Sequence, residues 1–228
     1  AKARGILTFT DAVQAMPCID INVKKLGVDL MSFSSHKFNG PKGVGALYVR
    51  NGVKIENLIG GGHQERTKRG GTTNVPGVVG MAEALRLNRL TLAEDNAYIA
   101  SLRDLFVSRV EKEIPFAYYN GDREKRIPSN ADFSFEYIEG ESILFSLDLA
   151  GICVSSGSAC SSGSLEPSHV LLAIGVEEAL AHGSIRFSFG KENTVEQVNY
   201  TVDKLKETVE KLRNMSPLYK TEIKETKA

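Results

Sequence analysis

The chain has 228 residues, 42% hydrophobic and 25% charged, enough for a sizeable core in one large domain or two small ones. Its 28 basic residues balance 28 acidic ones, which argues against a nucleic-acid or anionic-membrane surface as its main role. No apolar run has membrane-spanning length, the first ten residues show no signal-peptide core, and three cysteines without zinc spacing point to a reducing, cytoplasmic setting.

Residues 1–5 read as a helix end with a glycine cap, and residues 6–10 as a buried strand closed by Asp11. The chain thus reads as opening inside an α/β unit. After a connection holding Pro17, a second strand is predicted over residues 29–34, running into Ser35-His36-Lys37. A Gly/Pro turn at 40–43 leads to a third strand over 44–49, and residues 60–74 read as irregular. From Pro76 to about residue 114 the periodicity is helical and predicts two helices broken near 88–91.

Beyond Tyr118 the pattern changes to turns and short strands. Strands are expected over 133–137, 152–155 and 184–189, and helices over 141–149 and 166–174. The last helix is marked by a capping-box pair, Thr194 and Gln197, and by an apolar stripe from Val195 to Leu212. A polar, fraying tail follows. These elements predict an α/β protein: the remainder of a large domain with a mainly parallel sheet, then a small α+β domain, with the boundary near residues 90–118.

Four residues stand out chemically. Lys37 lies just past an apolar strand, where α/β sheets place ligands, and desolvation there would free its amine for a Schiff base; a surface lysine is the bland alternative. Asp11 ends the neighbouring strand at the same sheet edge, and a carboxylate beside a lysine is what pyridoxal phosphate needs; alone, Asp11 reads as a turn former. Cys160 sits among serines and glycines, the composition of an accessible, movable loop in which a thiolate can react and carry a group. Cys153, within an apolar run, and Cys18 read as small core residues. Arg186 interrupts the apolar run SIRFSF, either as a carboxylate anchor or in a structural ion pair. The glycines at 60–62 and the RGGTT segment at 69–73 could form an anion nest or a plain loop. His63, His169 and His182 have no metal-ligand spacing.

The runs DLMSFSSHKFNGPKGVGALYV, GGGHQERTKRGGTTNVPGVVGMAEAL and SSGSACSSGSLEPSHVL closely resemble cysteine desulfurases. These are pyridoxal-phosphate enzymes of the class V aminotransferase fold, and the resemblance is to their iron–sulfur-assembly branch. It implies that residues 1–95 are the C-terminal part of the cofactor-binding large domain, and that 96–228 form the small domain with the catalytic cysteine loop. Lys37 then resembles the lysine that holds the cofactor, Asp11 the partner of the pyridine nitrogen and Gln14 the contact to the ring oxygen. Ser34 and His36 resemble phosphate contacts, as does Thr72, supplied across a homodimer interface. Arg186 resembles the anchor of the substrate carboxylate, and Cys160 the nucleophile that takes sulfur from L-cysteine, leaving alanine and a persulfide.

The persulfide would pass to an iron–sulfur scaffold or another acceptor protein, and Cys160 would meet iron only transiently, in a partner's cluster. The family's long segment ahead of the DAVQ strand is missing here, which implies a C-terminal portion of a longer or split enzyme. An aminotransferase, a selenocysteine lyase or a non-catalytic fragment are the rival readings.

Overall fold

The computed structural model describes residues 1–156 and 167–219. The chain divides into two compact units, Ala1–Glu94 and Asp95–Ala228.

In the first unit, the expected helix end is a single 3-10 turn, Lys2–Arg4, closed by Gly5 in the left-handed conformation that glycine adopts without strain. Three strands follow: β1 (Phe9–Asp11), β2 (Leu30–Ser34) and β3 (Gly45–Val49), in the order β1-β2-β3. The first pair is parallel and the second antiparallel, so the sheet is mixed. The short helix α1 (Val23–Leu26) joins β1 to β2, and the Asn22 side chain caps it by accepting from the backbone N–H groups of Lys24 and Lys25.

Asp29, expected inside the second strand, instead precedes it as a buried clamp. Its carboxylate accepts from the Thr8 backbone N–H at 2.7 Å and from Arg50 Nε at 2.6 Å. The Thr8 N–H first, and then the Arg50 guanidinium, hold this carboxyl below the usual range.

The irregular segment contains one turn, α2 (Gln64–Thr67), in which Glu65 and Arg66 adopt left-handed backbone angles. Then α3 (Val75–Glu113) runs unbroken for 39 residues where two helices were predicted. Residues 88–91 contain no glycine or proline to end a helix. Their polar side chains serve another purpose: Asn88 donates to the Pro17 carbonyl, and Arg89 to those of Ile19 and Met16.

The second unit is a four-stranded antiparallel sheet with helices on one face. Its strands are β4 (Ala117–Tyr119), β5 (Asn130–Phe135), β6 (Ser155–Ser156) and β7 (Ser184–Ser188), in the order β4-β5-β7-β6. Alternation along β5 and β7 sends Phe133, Phe135, Ile185 and Phe187 to the core face. They meet the second half of α3, α4 (Gly140–Leu149) and α7 (Val195–Met215). Phe106 of α3 packs edge-on against Phe133, with ring centroids 6.1 Å apart. The capping box of α7 is complete, with Thr194 Oγ1 accepting from the Gln197 backbone N–H and the Gln197 side chain accepting from that of Thr194.

Three expectations change in this unit. The strand expected over 133–137 ends at Phe135, because the backbone turns at Tyr137 with φ 70°. Of the strand expected over 152–155 only Ser155 is in β6, which pairs with β7, and Cys153 lies outside it, exposed and not a core residue. The predicted helix over 166–174 is α5 (His169–Ala173), and a further short helix, α6 (Glu178–His182), follows it.

Candidate active site

Because β1 and β2 run parallel, with Asp11 opposite Ser32, they end at the same edge of the first unit's sheet. Open α/β sheets present ligand-binding groups at the carboxyl ends of their parallel strands. Asp11 is the last residue of β1, and Lys37 follows β2 in the 3-10 turn Ser35–Phe38. That turn buries Ser35 and Phe38 and leaves His36 and Lys37 exposed. The described residues therefore do not supply the desolvation expected around the Lys37 amine.

Ser34 Oγ lies 2.8 Å from His36 Nδ1, pairing a hydroxyl with an imidazole beside Lys37. Asp11 also forms a turn, its Oδ1 accepting from the Val13 backbone N–H at 2.9 Å. Gln14 is exposed, and its carbonyl accepts from Cys18 Sγ at 3.3 Å. Cys18, expected as a small core residue, is only half-buried, and that partial burial pushes its thiol pKa up. Thr72 is exposed in the irregular segment of the same unit. The donor set of this unit suits pyridoxal phosphate: an amine for the aldehyde, a carboxylate for the ring nitrogen, and hydroxyls and an imidazole for the phosphate.

In the second unit, the sheet face opposite the core carries a polar row. The register sets Asp132 against Arg186 and Arg186 against Ser155, while the Asn120 backbone N–H donates to the Asp132 carbonyl. Asn120, Asp132, Arg186 and Ser155 thus follow one another across the sheet. Asn120 Nδ2 donates to Asp132 Oδ1 at 2.7 Å and to Ser134 Oγ at 2.8 Å. Arg186 is exposed, and its Nη2 donates to the neutral Ser155 hydroxyl at 3.2 Å. Sequence reasoning singled out Arg186 but missed Asp132 and Asn120. The alternation of NADFSF, with Asp132 between two core positions, was the available signal.

Cys160 lies outside the described residues. Among the described residues, no cluster of three His, Cys, Asp or Glu side chains is placed to hold a metal ion. Nor is any described helix long and apolar enough to cross a membrane.

This architecture defines a class of protein. Residues 1–201 match the family model for aminotransferase class-V, and the chain belongs to that family. Within it, the chain is 56% identical over 224 residues to the cysteine desulfurase IscS of Dictyoglomus turgidum, covering 98% of this chain and 57% of the relative. A solved NifS-like protein superposes with a TM-score of 0.83 at 40% identity, over 92% of this chain and 54% of its own. The structure of SspA in complex with cysteine matches with a TM-score of 0.63 at 31% identity, over 85% of this chain and 53% of its own. The chain therefore spans a little over half the length of these proteins.

Proposed function

We propose that this chain is part of a cysteine desulfurase that uses pyridoxal phosphate to take sulfur from L-cysteine, leaving L-alanine and a persulfide on Cys160. The observation that carries this reading is the placement of Asp11 and Lys37 at adjacent ends of parallel strands, with Ser34 and His36 beside the lysine. The likeness to cysteine desulfurase IscS and to SspA, solved with cysteine, supports the choice of substrate.

Each residue has a role set by its chemistry. Lys37 would hold the cofactor through its amine and then move protons at the substrate α-carbon. Asp11 would keep the ring nitrogen protonated, Gln14 would bond the ring oxygen, and Ser34, His36 and Thr72 would bind the phosphate, Thr72 from across a homodimer. When bound, the cofactor supplies an electron sink for charge next to the substrate α-carbon. Arg186 would take the substrate carboxylate with its planar fork. The Cys160 thiolate would attack the substrate sulfur: an S–S bond forms, the C–S bond breaks, and its electron pair stays with the carbon that becomes the alanine methyl group. The persulfide would then pass to an acceptor protein for iron–sulfur cluster assembly in the cytoplasm.

The test uses the full-length protein loaded with pyridoxal phosphate. Borohydride reduction followed by peptide mapping should place the label on Lys37, and L-cysteine should yield alanine and sulfide in the presence of a thiol. Cys160→Ala should abolish sulfur release and leave the cofactor spectrum intact. Turnover of L-cysteine that survives Cys160→Ala would sink the persulfide route.

A further inference from the structure

Arg186 has unequal neighbours along its row: the neutral Ser155 hydroxyl on one flank and the carboxylate-bearing Asp132 on the other. Side chains directly opposite on antiparallel strands share a face and lie within reach of each other's charge. Asn120 donates to Asp132 Oδ1 at 2.7 Å, which orients this carboxylate within the row. Burial, the largest influence, leaves the Asp132 carboxyl pKa raised, although Asn120 and the Arg186 and Arg126 charges draw it part of the way back. The guanidinium nevertheless bonds to Ser155, which leaves it exposed and open to a second anion.

We propose that Asp132 is an affinity-setting residue: a fixed counter-charge beside Arg186 that weakens the hold of Arg186 on a carboxylate ligand. An arginine flanked only by hydroxyls would bind a carboxylate with its whole charge. Here an incoming carboxylate meets attraction from Arg186 and repulsion from Asp132 one strand away. Arg186 is exposed, and where the dielectric approaches that of water, Coulomb energies over about 3–6 Å correspond to about three- to tenfold in affinity. The inference rests on the reading of Arg186 as the substrate anchor and adds what limits its grip. In this arrangement the site binds an amino-acid carboxylate loosely enough to exchange product for substrate.

The test is steady-state kinetics of the full-length holoenzyme with Asp132→Asn, which removes the charge and can still accept from Asn120. The expected result is a KM for L-cysteine lowered about three- to tenfold, with kcat held within about twofold and the cofactor spectrum unchanged. The difference from wild type should shrink as salt rises. Inhibition by cysteamine, which lacks the carboxylate, should not change. Asp132→Ser, small enough for its place beside Asn120, should lower KM in the same way and guards against a folding defect in the first variant. Arg186→Lys separates the two readings. A KM left unchanged by Arg186→Lys removes the anchor, and this inference with it. A KM raised by Arg186→Lys but unchanged or raised by both Asp132 variants overturns the counter-charge alone.

Discussion

Arg50 closes over the carboxylate of Asp29, its Nε 2.6 Å from Oδ1, while the other carboxylate oxygen accepts from the Thr8 backbone N–H. One buried acid thus ties together the segment entering β1 and the segment leaving β3. Both partners favour the ionised form, so the folded pKa lies below that of the unfolded chain. A depressed carboxyl contributes stability that is fully present above its unfolded value, about 3.9, and lost as pH falls through the folded value. Thermal unfolding of wild type and Asp29→Asn should therefore differ most near neutral pH and converge in acid. A gap that stays constant from pH 7 down to pH 2 would show that the charge of Asp29 is not what stabilises the clamp.

Gly183 admits no side chain. A Cβ there would lie 2.2 Å from the Phe135 carbonyl oxygen and 2.9 Å from that of Ile138. Both are backbone atoms and cannot rotate aside, so Gly183→Ala should cost about 1–3 kcal/mol through displacement of the β5 end. Urea unfolding checks it, and a midpoint matching wild type would mean that the strand end yields without penalty.

The capping box at Thr194 starts the helix that covers much of the second unit's core. Thr194→Ala should lose about 1 kcal/mol by freeing the Gln197 backbone N–H, whereas Thr194→Ser should keep most of the stability. Denaturant midpoints of the two variants, compared side by side, decide this.

Arg213, near the end of α7, is buried at 2% exposure and donates to three backbone carbonyls, those of Pro115, Phe116 and Glu136. Its guanidinium also lies 5.7 Å from the Phe116 ring centroid. Arg213→Met would fill similar space but leave those carbonyls without their donor, at about 2–4 kcal/mol. Arg213→Lys should recover only part, because an ammonium cannot span the same fork. Full recovery by lysine in chemical denaturation would show that charge alone matters here.

What could be read in the sequence follows from the range of the forces involved. The last helix was legible because its cap and stripe lie within one local stretch, from Thr194 to Leu212, and both periodicity and capping act over a few residues. The juxtaposition of Asp11 and Lys37 was legible for a similar reason, since each closes a short apolar run and parallel strands bring such ends together. Asp29 was read as the first strand residue because its partners, Thr8 and Arg50, are each 21 residues away. The apparent break at residues 88–91 came from polar side chains whose acceptors lie some 70 residues earlier. Asp132 was passed over because its neighbours, Asn120 and Arg186, belong to other strands and only the register brings the three together.

The exposure of Cys153 has a practical side. Thiol chemistry will be the natural way to test for the sulfur proposed on Cys160, and alkylating reagents do not report which cysteine they have modified. With Cys153 open to solvent seven positions upstream, a labelling stoichiometry or a gel shift would combine both thiols in a single signal, and a proteolytic peptide could carry both. A Cys153→Ser background, with Cys18 half-buried and slower to react, would let the modification be assigned by subtraction before any persulfide is counted.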